Sequence, residues 1–181
     1  MSKWMIASDL HGDAECVEAL LEAYYASGAE RLILLGDLLY HGPRNDLPAG
    51  YAPKRVIELL NGVRDEILCV RGNCDTEVDQ MVLNFPVLAD YCILFEAGRT
   101  VYATHGHVYN ESKLPPLSRG DVLLHGHTHV PKCTEHEDYL YINPGSVSIP
   151  KEDSPNGYMT LENGLLEWKA IDGGVWKQYQ L

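Results

Sequence analysis

Five short apolar runs punctuate the chain, and each gives way to a polar side chain: Trp4 to Ala7 before Asp9, Leu32 to Leu35 before Asp37, Ile67 to Val70 before Asn73, Val101 to Ala103 before His105, and Val122 to Leu124 before His127. Their length and residue types predict buried strands. The polar groups then stand at strand ends. In helix-covered sheets that is where loops converge on a crevice and ligands gather.

Amphipathic stretches separate the runs. In the first, Val17, Leu20, Leu21 and Tyr24 share one face, Asp13 is placed to cap the N-terminus and Gly28 lies just past the end, which predicts a helix from Ala14 to Ser27. The second carries Pro53 in its first turn, repeats Val56, Leu59, Leu60 and Val63, and is expected to stop at Gly62. A third helix is predicted from the spacing of Val78, Met81, Val82 and Phe85, closed by Pro86.

Beyond Pro86 the pattern turns to strands with tight connections. Tyr91 to Phe95 and Thr100 to Thr104 flank Gly98, while Tyr158 to Leu161 and Leu165 to Ala170 flank Asn163-Gly164, so each pair is a predicted hairpin. Glu135 to Asp138 and Lys151 to Gly157 read as solvated loops. Strand and helix alternate first and strands dominate later. This order predicts an α/β fold of two facing mixed β-sheets, a sandwich with α-helices outside.

At 181 residues, 45% of them hydrophobic, the chain suits a single domain spanning residues 1–181. Its 14 basic and 26 acidic side chains leave a net charge of -12, which opposes an extended nucleic acid or an anionic membrane as partner. A phosphate-bearing ligand would need local positive charge, and divalent cations in a pocket can provide it whatever the overall sign. The cysteines at 16, 69, 74, 92 and 133 form no C-x-x-C pair, and five is an odd number, so a reducing cytoplasmic setting is expected. No apolar stretch is long enough to predict a membrane span or a signal-peptide core. Self-association is left open.

The chemistry lies in five short signatures: Asp9-Leu10-His11, Gly36-Asp37, Gly72-Asn73-Cys74-Asp75, Thr104-His105-Gly106-His107 and Gly126-His127-Thr128-His129. In an extended segment residues i and i+2 point the same way, so Asp9 with His11, and His127 with His129, are each expected to face one cavity. One D-x-H or H-x-H recurs by chance. All five in order indicate hard oxygen and imidazole donors for Mn, Fe, Co, Ni or Zn, where a thiolate set would have pointed to zinc or an iron–sulfur cluster.

The order and residues resemble the calcineurin-like metallophosphoesterase superfamily, with its D-x-H, G-D, G-N-H-[DE], H and G-H-x-H pattern, over about residues 5–146. The short length, the Gly-Asn-Cys-Asp form, the loop from Tyr40 to Asn45 and Asn143-Pro144-Gly145-Ser146 look like the small bacterial phosphodiesterases of the YfcE type. The resemblance implies the four-layer α/β/β/α arrangement of that family. It also implies that Asp9, His11 and His129 bind one metal ion, that Asn73, His105 and His127 bind a second, and that Asp37 bridges them. Manganese is the first expectation on the same ground. Two dications, two carboxylates and a hydroxide would sum to about +1, suited to a phosphodiester anion. Metals about 3.5–4 Å apart can hold the bridging hydroxide for in-line attack on phosphorus.

The third signature departs from the pattern. Asn73 and Cys74 are the expected catalytic positions, but the family's third motif usually carries histidine where this chain has Cys74. A thiol of ordinary pKa, about 8.5, is a poor hydrogen-bond donor, so weak help to the leaving oxygen and a preference for good leaving groups are expected.

Arg44 and His41 follow Asp37 by a short loop, and either can reach a substrate phosphate. For Arg44 an ordinary surface ion pair, about 1 kcal/mol at most, is the first expectation. His107 is open between orienting a ligand, touching substrate and a structural role. His125 is expected to complete its strand and His136 to sit in a solvated loop. Asp75 either orients its signature through backbone hydrogen bonds or caps the following helix. Trp4, Tyr24, Tyr91 and Tyr102 read as packing residues. Asn143 to Ser146 either brings backbone donors near the site or forms a tight turn.

The leading functional expectation is hydrolysis of a small phosphodiester by two divalent metal ions. The alternatives are a phosphomonoesterase or protein phosphatase, and a non-catalytic interaction module on the same fold.

Overall fold

The computed structural model describes residues 3–181. Three parallel strands, β1 (Lys3–Ala7), β2 (Arg31–Leu34) and β3 (Ile67–Cys69), open the chain, with α1 (Ala14–Ser27) and α2 (Pro53–Gly62) as crossovers. A single-turn helix α3 (Glu77–Gln80) precedes β4 (Tyr91–Glu96), β5 (Arg99–Thr104), β6 (Asp121–His125), β7 (Lys132–Glu135) and β8 (Tyr139–Asn143). The C-terminal strands are β9 (Gly157–Glu162), β10 (Leu165–Ala170) and β11 (Val175–Gln180). One sheet has the order β11-β10-β9-β1-β2-β3, the other β4-β5-β6-β8-β7. Both are mixed. In the second sheet β5, β6 and β8 run parallel between antiparallel edge strands.

Alternation along β1 and β2 divides the core into two layers. Met5, Ala7, Leu32 and Leu34 meet Val17, Leu20 and Tyr24 of α1 and Val56 and Leu60 of α2. Ile6 and Ile33 point the other way and join Val101, Ala103, Val122, Leu124, Leu140 and Ile142 between the sheets. The fully buried Trp168 of β10 donates its indole N–H to the carbonyl of Asn143 in β8 at 2.8 Å, tying sheet to sheet.

The expected facing sheets and flanking helices are present, with unequal outer layers. Both long helices cover the β1 sheet. Residues 106–120, an irregular segment, lie over the second sheet, where Tyr109 packs edge-on against Tyr102 with centroids 5.9 Å apart.

Helix α1 has its expected bounds: Asp13 accepts from the Cys16 N–H at 3.0 Å, and Gly28 ends the helix in the left-handed region at φ 69°. Both hairpins form around left-handed pairs, Ala97-Gly98 and Asn163-Gly164. The third helix is a correction. It stops after one turn because the Gln80 amide donates to the carbonyls of Leu83 and Phe85 and accepts from Val87 N–H, which holds the chain in a loop. Val78 and Met81, expected on a buried face, are 68% and 83% exposed, while Leu83 and Phe85 enter the core. Strands β7, β8 and β11 add to the runs read from sequence, and Glu135 ends β7 rather than opening a loop. β7 and β11 are edge strands of mixed polarity, without the apolar signature of buried ones.

Candidate metal centre

Five of the expected ligands stand on strained backbone. Asp9, His11, Asp37, His127 and His129 have φ of 58°, 46°, 56°, 64° and 62°, in the left-handed region that costs an L-residue about 1–2 kcal/mol. This corrects the extended-segment reading: Asp9 with His11, and His127 with His129, converge because both members of each pair turn left-handed just beyond a strand. Close backbone approach is equally necessary. A Cβ on Gly72 would collide with the Asp37 carboxylate, and one on Gly126 with the Ser8 hydroxyl.

The donors converge in two overlapping groups. His11 Nε2 and His129 Nε2 lie 3.6 and 3.3 Å from Asp9 Oδ1 and 3.2 Å from each other. On the other side, His105 Nε2 is 3.1 Å from both Asn73 Oδ1 and His127 Nδ1. Asp37 Oδ2 lies between them, 3.8 Å from His11 Nε2 and 3.5 Å from His105 Nε2.

Such nitrogens face one another sensibly only around a cation. His11, His105 and His129 each place Nδ1 against a backbone carbonyl, of Tyr40 at 2.8 Å, Leu35 at 2.7 Å and Ile149 at 2.6 Å. Donating there fixes the tautomer and, in the neutral ring, leaves the Nε2 lone pair aimed inward. Asp9 Oδ2 accepts from Ser8 Oγ and His127 N–H, while its Oδ1, fully buried, has no hydrogen-bond partner. An orphaned carboxylate oxygen among imidazole lone pairs is a polar group short of a positive partner. These residues fit divalent metal ions.

Charge distribution agrees. Burial would raise the Asp9 pKa, but His11 and His129 hold it well below the usual carboxylate range. Burial likewise opposes protonation of His105, yet Asp37 and Asp9 outweigh it and lift His105 from 6.5 to about 9. Burial and repulsion from His105 drive His127 down to about 4. In the metal-free protein a proton on His105 thus takes the place of part of a metal's positive charge.

The surrounding residues sort the open readings. Asp75 orients its signature through three backbone N–H groups, and Thr76 caps α3 instead. Ser146 and Ser148 both donate to the Asp9 carbonyl, at 2.8 and 2.9 Å, so the Asn143 to Ser146 turn supports the centre from behind. His125 ends β6, stacked on Tyr141 at 4.5 Å. His107 lies beside the centre, its ring centroid 5.3 Å from that of His105. His136, just past β7, bonds Glu111 and stacks on Tyr139.

A cavity of about 410 Å³ opens over the centre, lined by His11, Asp37, Asn73, Cys74, His127 and His129 together with Gly42, Arg44, Thr128 and Lys151. Arg44 is therefore at the site, and among the described residues it forms no ion pair, against the first expectation for it. His41 stands differently. Its ring packs edge-on between Tyr40 and Tyr51, outside the cavity lining. Sequence reasoning missed Lys151, which stands far from every signature in the chain. Cys74 is buried; burial and then the Asp37 carboxylate push its thiol pKa up, and it stays neutral.

Comparison with known proteins agrees with this geometry. Residues 3–164 match the calcineurin-like phosphoesterase superfamily domain. The chain is 46% identical to phosphodiesterase YfcE of Escherichia coli K12, over 95% of this chain and 94% of that one. A solved structure of Yfce, a phosphoesterase from E. coli, superposes with a TM-score of 0.94 at 45% identity, covering 98% of each chain. A probable metallophosphoesterase of Bacillus subtilis, YsnB, is 26% identical over 93% of this chain and 89% of its own. With its donors, fold and sequence in agreement, this chain belongs to the calcineurin-like phosphoesterase superfamily.

Proposed function

We propose that the chain hydrolyses a small phosphodiester using two divalent cations held by Asp9, His11 and His129 and by Asn73, His105 and His127, with Asp37 shared. The observation that carries this reading is the inward-facing set of imidazole nitrogens around the orphaned Asp9 Oδ1. Bound there, the cations would supply Lewis acidity and lower the pKa of a water to make it a nucleophile. Manganese, an ion suited to oxygen and imidazole donors, is the proposed metal. The displacement is proposed to be in line: a water oxygen bonds phosphorus as the opposite ester bond breaks, with no covalent link to protein.

This chain's own residues set the limits of that reaction. Asn73 has its Oδ1 3.1 Å from His105 and donates its amide to Cys74 Sγ at 3.2 Å, so the two expected catalytic positions are coupled. The neutral thiol gives little proton to the leaving oxygen. Arg44, on the cavity wall, supports a role in holding substrate. Among the described residues no helix is long and apolar enough to cross a membrane. A cytoplasmic setting is proposed from the unpaired cysteines. We also propose that residues 1–181 act as one domain, since the sheets share a single apolar layer.

The test is hydrolysis of bis(p-nitrophenyl) phosphate by manganese-loaded protein, with metal content measured alongside and p-nitrophenyl phosphate as the monoester control. Asp37→Ala and His127→Ala are each expected to lower kcat/KM more than the about 10–100-fold that loss of an outer partner costs. Unchanged activity in both would refute the mechanism, faster monoester turnover would make the chain a phosphomonoesterase, and metal-loaded but inert protein would leave an interaction module.

A further inference from the structure

Two cations overhang the cavity without partners of their own. Arg44 and Lys151 both line it, on separate loops. Among the described residues several basic side chains are in no salt bridge, but of these only Arg44 and Lys151 line the cavity over the centre. In a chain of net charge -12, these two exposed side chains put positive charge at the mouth of the cavity, where an anion would meet it.

Both loops are tied down next to the proposed ligands. Lys151 N–H donates to the carbonyl of His129 at 3.1 Å, and His129 in turn bonds the carbonyl of Ile149, so a backbone clasp joins Lys151 to that imidazole. On the other loop, the Asn45 amide donates to the His41 carbonyl at 2.8 Å and closes the turn that carries Arg44. The charged ends are exposed while the loops that carry them are held.

Charge counting identifies what they would meet. A monoanionic diester already neutralises the about +1 of the loaded centre, so the positive charges of Arg44 and Lys151 on the cavity wall are available to a second anionic group. The cavity, about 410 Å³, falls within the range of about 300–1,000 Å³ for small-molecule sites and exceeds what one phosphate needs. Building on the proposed activity, we propose that Arg44 and Lys151 select phosphodiesters whose outer arm carries a second anionic group, such as a terminal phosphate.

A matched pair of probes tests this: thymidine 5′-(p-nitrophenyl phosphate) with and without a 3′-phosphate. Turnover of both is measured on manganese-loaded enzyme, and calorimetry compares thymidine 3′,5′-bisphosphate with thymidine 5′-phosphate. In wild type the extra phosphate should lower KM and tighten calorimetric binding by about tenfold, with the preference fading as salt rises. Lys151→Gln and Arg44→Gln should each cut that ratio by about threefold, and the double variant should bring it near one. A wild-type ratio near one overturns the proposal, as does a ratio untouched in the double variant. If wild type turns over neither diester, the proposed activity fails by itself, and the calorimetric ratio still decides the role of the two cations.

Discussion

The Asp75 carboxylate accepts the backbone N–H of Asp37 at 2.8 Å, joining two signatures that lie 38 residues apart. The same Oδ2 accepts from Gly72 N–H at 2.7 Å, and Oδ1 from Leu38 N–H at 2.9 Å. Asp37 Oδ1 reciprocates by accepting from Cys74 N–H at 2.8 Å. The carboxylate of Asp37 therefore sits on a left-handed turn in which the N–H groups of Asp37 and Leu38 both donate to one acidic side chain.

Removing that side chain leaves three buried N–H groups without acceptors, at about 1–3 kcal/mol each. Asp75→Ala should lose about 3 kcal/mol or more of unfolding free energy in urea titrations and bind manganese more weakly. Asp75→Asn retains one acceptor oxygen, and its loss should be smaller. Equal stability of the two variants would show that the hydrogen bonds do not hold the loop.

Metal-free protein should be most stable near pH 6.5, because two histidines pull in opposite directions. His105 is raised to about 9, so from 6.5 to 9 the folded state keeps a proton that the unfolded chain releases, and stability falls as pH rises. His127 is depressed to about 4, so from 6.5 down to 4 the unfolded chain takes up a proton that the folded state refuses, and stability falls as pH drops. Thermal melts across pH 4–9 in the presence of a chelator check the curve. His105→Gln should flatten its alkaline limb, and an unaltered limb would rule out this origin.

Loading the centre should stabilise the fold. A cation held there would give Asp9 Oδ1 the positive partner it lacks and offset the strain of the five left-handed residues, so manganese at about 100 times its Kd should add about 2.7 kcal/mol, reversed by chelation. Because His105 must give up its proton, binding should release protons below pH 9, detectable as buffer-dependent calorimetric heats. A Tm indifferent to metal would contradict the assignment.

Cys74→His restores a capable proton donor at the cavity wall. A leaving-group series of phosphodiesters should show poor leaving groups gaining about tenfold or more, within the usual reach of general-acid help, while p-nitrophenyl esters gain less. Equal gains across the series would mean that the thiol does not limit protonation of the leaving oxygen.

Much of the centre is legible in the sequence, because ligand chemistry is written in side-chain identity. Asp9, His11, Asp37, Asn73, His105, His127 and His129 are brought together as expected, and the apolar runs ahead of them are strands. Local competition was harder to read. The apolar spacing of Val78, Met81 and Val82 predicted a helix, yet the Gln80 amide captures three backbone groups and ends it after one turn. Whether Asp75 orients its signature or caps the following helix turned on a partner 38 residues away, which no local pattern contains.

From the sequence alone came the donor types, their order, the strands that carry them and the limits set by charge and cysteine count, since these depend on side-chain chemistry and near-neighbour spacing. Tertiary structure alone decided how the donors converge, through left-handed turns at Asp9, His11, Asp37, His127 and His129, and which carbonyls lock their tautomers. It also placed Lys151 at the cavity and His41 outside it. The reason is that backbone carbonyls carry no residue identity and αL conformations at non-glycine positions are maintained by distant contacts, so neither leaves a mark in the order of residues.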